Sequence, residues 1–232
     1  MTAFVLGATG FVGREVVRQL CVRGGKPIAH VRPDSSKLAT WKQTFGELGA
    51  TVDASPWKVA ALATSLREFR ASELYILIGT TRAKAKSDQV SGDIYQQIDR
   101  GLTKIAVEAA QQIAGIEQPL RLIYLSSVGA DPNASSAYLK ARGQAEAAVR
   151  TSGLPWVIAR PSLIVGERDE SRPGEAVAAG IGDGMLAVAG LFGGKKLRAK
   201  YRSTSADILA SALIRLGEAP AHDTVVDGDD LR

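Results

Sequence analysis

The segment that most restricts this chain lies near its start: Gly7-Ala8-Thr9-Gly10-Phe11-Val12-Gly13, with a glycine at every third position, set directly after the apolar run Ala3-Phe4-Val5-Leu6. A glycine triplet in that place predicts a tight turn from a buried strand into a helix. The first glycine makes the turn, the second lets a pyrophosphate approach the backbone, and the third lets the helix pack on the strand, with the helix N-terminus facing the phosphates. Gly7, Thr9, Gly10, Phe11, Val12 and Gly13 are therefore candidate dinucleotide-binding residues. The residues that follow have helical spacing: Val12, Val16, Val17, Leu20.

Short apolar runs at 27–31, 74–78, 120–125 and 155–159, with a weaker one at 50–53, end near Gly, Pro, Ser or Thr, as strands covered on both faces do. Between them lie helical repeats at Ile94, Ile98, Leu102, Ile105 and Ala109, and at Ala141, Ala145, Ala148 and Val149. Strand then helix, repeated, predicts a doubly wound α/β parallel sheet. The 232 residues form one domain, with the part from about 161 contributing a small C-terminal substrate lobe. In that part, 176–194 carries six glycines and a single charge, and reads as a pocket wall or lid. The basic and apolar alternation of 195–202 reads as one wet face of an edge strand, and Ser205 is placed to cap a last helix over 206–216.

Composition removes several classes. Hydrophobic residues at 45% and charged residues at 23% exclude disorder. The single cysteine, Cys21, excludes an internal disulfide, and Cys21, His30 and His222 lack metal-ligand spacing. No run of about 18 apolar residues offers a membrane span. The first ten residues carry no charged leader region, so the expectation is a cytoplasmic protein. A net charge of +5 is too small to argue for nucleic acid.

The second strand ends in Val31-Arg32-Pro33-Asp34-Ser35-Ser36-Lys37. A carboxylate usually meets the adenosine 2′-hydroxyl at this point. Here Arg32, with Ser35, Ser36 and Lys37 as further donors, suits a 2′-phosphate and favours NADP; the alternative is that Asp34 takes the hydroxyl. Asp53 could accept from an adenine amino group or cap the next helix. Gly79, Thr80 and Thr81 sit at the carboxyl end of the fourth strand, where open sheets hold ligands, while Arg82, Lys84 and Lys86 read as a solvated loop. After the fifth strand come Ser126 and Ser127, then Tyr138 and, one helical turn on, Arg142. A cation beside a phenol makes proton transfer easier, and a serine hydroxyl can hold a carbonyl oxygen, so Ser127, Tyr138 and Arg142 are the candidate catalytic set.

The glycine pattern with Ser and Tyr-x-x-x-basic resembles the short-chain dehydrogenase/reductase superfamily in its extended or atypical branch. Gly79-Thr80-Thr81-Arg82, LSSVGAD at 125–131 and ESRPGE at 170–175 are similar to the Tat-interacting-protein (HTATIP-like) oxidoreductase group, a relative of NmrA-like NADP binders. The resemblance implies a Rossmann fold, NADPH bound through Gly7, Gly10, Gly13 and Arg32, and Tyr138 as proton donor aided by Ser127. It also places Arg160-Pro161 in the segment whose backbone lies along the nicotinamide. The family's residue four after the tyrosine is normally lysine; Arg142 keeps the charge but hardly ever gives up a proton. The expected function is an NADPH-dependent reductase of a carbonyl or related small molecule. The rival is a non-catalytic NADP(H)-binding sensor that presents a surface to a protein partner, and the sequence leaves homo-oligomer formation open.

Overall fold

The computed structural model describes residues 1–79, 93–115, 120–162, 164–165, 204–220 and 222–232. The predicted strands form as β1 (Ala3–Leu6), β2 (Ile28–His30), β3 (Thr51–Asp53), β4 (Glu73–Ile76), β5 (Arg121–Leu125) and β6 (Trp156–Arg160). Between them run α1 (Phe11–Val22), α2 (Leu38–Glu47), α3 (Val59–Glu68), α4 (Thr103–Ile113) and α5 (Ala137–Arg150). Helices α2 and α3 and three strands are not read in the sequence. A seventh main-sheet strand, Thr224–Asp227, pairs parallel with β6, and a short separate ladder joins β7 (Ile164–Val165) to β8 (Thr204–Ser205). With Thr224–Asp227 numbered β9, the main sheet runs β3-β2-β1-β4-β5-β6-β9, and all six pairings are parallel. This is the Rossmann-like doubly wound α/β fold that the strand and helix alternation predicts.

The strands read as continuous apolar runs because each is covered twice. Val5, Tyr75, Leu77, Ile123, Leu125, Val157 and Ala159 point into one layer, with α1, α2 and the last helix, α6 (Ala206–Glu218). Phe4, Leu6, Leu74, Ile76, Leu122, Tyr124 and Ile158 point into the other, with α3, α4 and α5. Alternate residues of one strand thus serve opposite cores. Phe4, Val5 and Leu6 are all fully buried, each contributing ~1.5–3 kcal/mol.

Helix α6 belongs to this main body: it packs on α1, where Gln19 donates its side-chain N–H to the Asp207 carbonyl at 2.8 Å. Ser205 does stand at its N-cap, but its hydroxyl turns to the Asp207 carboxylate and not to a backbone N–H. The far end is closed by Arg121, which donates to the carbonyls of Gly217 (2.9 Å) and Ala219.

The repeat at Ile94, Ile98, Leu102, Ile105 and Ala109 is helical, as expected, but of these only Ala109 is fully buried, while Ile98, Leu102 and Ile105 pack on the core partly covered. Residues Tyr95–Leu102 wind as a π-helix before α4 begins. Its wider turn rotates the register, so Tyr95, Asp99 and Thr103 are buried while Ile98, Leu102 and Ile105 are only partly covered. The expectations on Thr80, Thr81, Arg82, Lys84, Lys86, ESRPGE, the glycine-rich stretch and the basic stripe fall outside the described residues. Among those described, no helix is long and apolar enough to cross a membrane.

Candidate active site

The chain moves outward from β1 to β3 on one side and restarts at β4 on the other, so β1 and β4 flank the crevice where an open parallel sheet takes its ligand. The glycine turn sits there. Gly7 adopts φ +83°, and a β-carbon on it would stand 2.7 Å from the Leu77 carbonyl oxygen. One on Gly13 would stand 2.1 Å from the Gly7 oxygen, because α1 begins directly on the turn. Gly10 N–H donates to the Gly7 carbonyl (2.9 Å) and Arg14 N–H to the Gly10 carbonyl (2.9 Å), leaving Phe11, Val12 and Gly13 as the first turn of α1. That turn has no side-chain cap and no acidic residue. Such a helix start favours an anion. The Val12 side chain lies in the core, so what it offers a ligand is backbone.

At the end of β2, Arg32 is half exposed, its Nε 3.8 Å from Asp34 Oδ1. Ser35 and Lys37 form the turn into α2, with Ser35 N–H on the Arg32 carbonyl (3.1 Å). Asp53 is buried and already engaged: Ser55 donates both its N–H (3.1 Å) and its hydroxyl (2.6 Å), and Ser65 donates from α3 (2.9 Å). The carboxylate therefore ties the end of β3 to α3. His30 lies beside it, giving its Nε2 to the Ser55 carbonyl at 2.9 Å, and burial pushes its pKa down.

Around β4 and β5 the structure assembles a site that the sequence shows only in part. Arg142 is 5% exposed. One Nη pairs with Asp99 Oδ1 of the π segment at 2.7 Å, and the other donates to the Leu125 carbonyl at 2.7 Å and to Tyr124 Oη at 3.4 Å. Its guanidinium lies 5.4 Å from the centre of the Tyr138 ring, which in turn meets Tyr95 edge-on at 5.5 Å. Gly79 is the floor: a β-carbon there would come within 2.4 Å of Arg142 Nη2. Burial disfavours the charge on Arg142, but Tyr138, Asp99 and Tyr124 more than offset it and hold the guanidinium firmly protonated. Burial likewise pushes the Tyr124 phenol up to about 12, against the pull of Arg142.

The two serines are not equivalent. Ser126 donates its hydroxyl to Glu146 at 2.6 Å, and Glu146, 2% exposed, also receives Arg160 twice (2.8 and 2.6 Å) and Arg150 at 3.3 Å. Ser127 makes only a long contact, 3.3 Å, to the neighbouring Val128 carbonyl. The loop carrying it is fixed on both sides. Val128 N–H reaches the carbonyl of buried Pro161 at 3.0 Å, and Asp131 N–H reaches the Leu139 carbonyl at 3.2 Å, folding the loop onto the first turn of α5. Gly143 lets that loop touch the helix, since a β-carbon on it would be 2.2 Å from Asp131.

Of the residues expected from sequence, the structure brings Gly79 and Tyr138 together around Arg142; Asp99, Tyr124 and Glu146, which complete the surroundings, are not singled out by the sequence. A signal existed for Glu146: it stands one turn after Arg142 among Ala145, Ala148 and Val149, on an apolar face where a charge needs a partner, and Arg160 was already placed at a strand end. None existed for Asp99, whose burial depends on the π turn.

The sequence profile of the family described as NAD(P)H-binding matches residues 7–184, the stretch from the glycine turn through this edge. The chain belongs to the NAD(P)H-binding family. Among curated members, the mitochondrial protein FMP52-1 of Scheffersomyces stipitis is 30% identical over 175 residues, 74% of this chain and 71% of that protein. Mitochondrial fmp52 of Aspergillus niger is 29% identical over 222 residues, 92% and 85% of the two chains. Among solved structures, an epimerase/dehydratase-type protein of Bacillus halodurans superposes with TM-score 0.67 at 20% identity, covering 99% of this chain and 95% of that one. The anaerobilin reductase ChuY of Escherichia coli O157:H7 gives 0.63 at 17% identity, with 97% and 95% covered. At such identity the structural likeness establishes the fold alone. The cytoplasmic expectation is corrected by these relatives, whose names place them in mitochondria. Ten residues without a charged leader do not decide a compartment.

The glycine cradle fits a nicotinamide dinucleotide, since the positions where a side chain would intrude on the turn are glycine and the helix start is free of acidic groups.

Proposed function

We propose that this member of the NAD(P)H-binding family is an NADPH-dependent oxidoreductase that reduces a carbonyl or related unsaturated small molecule. The observation that carries the reading is the arrangement at the carboxyl edge of β4 and β5, where half-exposed Tyr138 lies against the buried, charge-compensated Arg142 beside Gly79. Similarity of LSSVGAD to the Tat-interacting-protein group supports the same assignment.

The bound cofactor supplies hydride. Gly7, Gly10 and Gly13 admit its pyrophosphate to the backbone of the turn, and Arg32 meets its 2′-phosphate. Gly79 and the Pro161 segment flank the nicotinamide end, with Thr80 and Thr81 continuing from Gly79. Ser127, whose hydroxyl proton is not taken by Glu146, holds the substrate oxygen; Tyr138 gives that oxygen its proton. Arg142 keeps a permanent positive charge under the Tyr138 ring and stabilises the oxyanion side of the reaction.

The test is NADPH oxidation by a panel of aldehydes, ketones and quinones. Turnover is expected with at least one. It should be lost in Tyr138→Phe and cut ~10²-fold or more in Ser127→Ala, with NADPH binding intact in both. Ser126→Ala should instead reduce stability by ~1–3 kcal/mol, because it removes a donor from buried Glu146. Absence of turnover across the panel refutes the reading.

One observation favours the rival, a non-catalytic NADP(H) sensor: both Nη atoms of Arg142 are engaged by Asp99 and by the Leu125 carbonyl, so Arg142 does not stand in for a lysine that passes protons. A cellular phenotype that survives Tyr138→Phe and is lost with Gly10→Glu, both folded, selects the sensor.

A further inference from the structure

Glu146 is a buried carboxylate to which the chemistry above gives no part. Its Oε1 accepts the Ser126 hydroxyl at 2.6 Å and Arg160 Nε at 2.8 Å, and its Oε2 accepts Arg160 Nη2 at 2.6 Å. Arg150, one turn further along α5, adds a looser contact at 3.3 Å, and its guanidinium also lies 4.9 Å from the centre of the Trp156 ring. Two bonds from one guanidinium to one carboxylate fix orientation as well as distance, and burial keeps water from competing for them.

The pair reaches into the loop that carries Ser127. Arg160 Nη2 also donates to the Ala130 carbonyl at 3.2 Å. At the other end of the same loop, Ser126 is tied by its N–H to the Ala159 carbonyl of β6 at 2.8 Å and by its hydroxyl to Glu146. The stretch 126–130 is thus held at its first and last residues by bonds that converge on one carboxylate, and Ser127 lies between them. Val128 N–H meets the carbonyl of Pro161, the residue after Arg160, at 3.0 Å. Ser127 and Pro161, which the reductase reading sets at the substrate oxygen and at the nicotinamide end, are therefore each the chain neighbour of a residue bonded to Glu146.

We propose that Glu146, acting through Arg160, is a positioning residue for hydride transfer: it fixes the spacing between the serine that holds the substrate oxygen and the segment along the nicotinamide. This rests on the reductase reading above and extends it. Both Glu146 oxygens are engaged, so its part is to hold the two partners of the transfer in register and not to move a proton. Transfer needs the reacting atoms roughly 3–3.5 Å apart, and a small misplacement costs rate far more than it costs binding. Arg160 carries the longer share of the link, because it alone joins Glu146 to the loop beyond Ser127.

The experiment is steady-state kinetics of the full chain with the best substrate of the aldehyde, ketone and quinone panel, beside an NADPH titration, on protein shown by circular dichroism to be folded at the assay temperature. Glu146→Gln keeps the shape but gives up the charge, and should lower kcat ~10-fold or more with the NADPH Kd and the substrate KM within ~3-fold. Arg160→Lys, which lacks the fork that bridges Glu146 to Ala130, should do the same, and it carries the test if Glu146→Gln does not fold. The double variant should be no slower than the slower single, because both changes break one link. Arg150→Met, which removes only the looser contact, should keep kcat within ~2-fold. A role in stability alone would lower the melting temperature of Glu146→Gln and leave the kcat of the folded enzyme unchanged. That outcome, or losses that multiply in the double variant, overturns the inference while wild-type turnover stands. A wild-type chain that turns over no member of the panel overturns the reductase reading itself, and this positioning role with it.

Discussion

The Asp99 and Arg142 pair offers the sharpest physical test of the site. Asp99 is fully buried, Arg142 is 5% exposed, and they meet at 2.7 Å. Asp99→Asn leaves a guanidinium in the interior without its counter-charge, and Arg142→Met leaves a buried carboxylate; removing one partner of such a pair costs about 3–5 kcal/mol. In Arg142→Met the Leu125 carbonyl, now accepting at 2.7 Å, also loses its donor, a share of about 1–3 kcal/mol. In the double variant no charge is stranded, so only that carbonyl term remains, about 1–3 kcal/mol. Independent effects would sum to about 6–10 kcal/mol, so the cycle should show a coupling of several kcal/mol in the direction of rescue. Urea unfolding followed by circular dichroism at neutral pH measures all four proteins. At about 2–4 °C per kcal/mol, each single variant should also melt roughly 6–20 °C lower. Single variants within about 1 kcal/mol of wild type, or a double variant as unstable as the sum, would refute the claim that these charges are buried against one another.

Two further outcomes follow from the backbone and from the far end of the sheet. Gly13→Ala should destabilise the chain and abolish NADPH binding, because its β-carbon would meet the Gly7 carbonyl at 2.1 Å, whereas Gly46→Ala, in α2 with open space around it, should be neutral or stabilising by ~0.5–1 kcal/mol; thermal melts with and without NADPH compare them. Glu73 is buried on β4, and burial raises its pKa against the pull of the Tyr75 hydroxyl at 3.0 Å. Its contribution is therefore fully present below the ordinary carboxylate pKa and is lost as pH rises through the folded one. Urea melts at a series of pH values should show wild type losing ground to Glu73→Gln as pH rises from about 4, and a gap that moves the other way would sink the assignment.

How much was legible depended on whether a residue's place followed from a local period. Strands β1, β2, β4, β5 and β6 were readable because burial on both faces leaves uninterrupted apolar runs, and the glycine turn because sterics admit only glycine at Gly7 and Gly13. Strand β9 was not: Thr224, Val225, Val226 and Asp227 make a short run at the sheet's edge, with the polar composition edge strands carry. Tyr138 and Arg142 share a helix face by spacing alone, so their approach was foreseeable. The partner of Arg142 was not, since the apolar period through Ile94, Ile98 and Leu102 is overridden by tertiary demand. Ser126 and Ser127 look alike in sequence, and only the position of Glu146 two turns into the next helix separates a committed hydroxyl from an available one.

The π segment over Tyr95–Leu102 acts as a change of gear within one continuous helical run. Within it, the chain is phased to aim the Asp99 carboxylate at Arg142; behind it, Ala106, Val107, Ala109 and Ala110 are phased to mesh with α3 and the sheet. A uniform α-helix could satisfy one of these surfaces but would point away from the other. The site's deepest charge is thus coupled to the packing of the whole layer by winding number, so that gaining or losing one residue within the run would unpair Arg142 without altering any residue it touches.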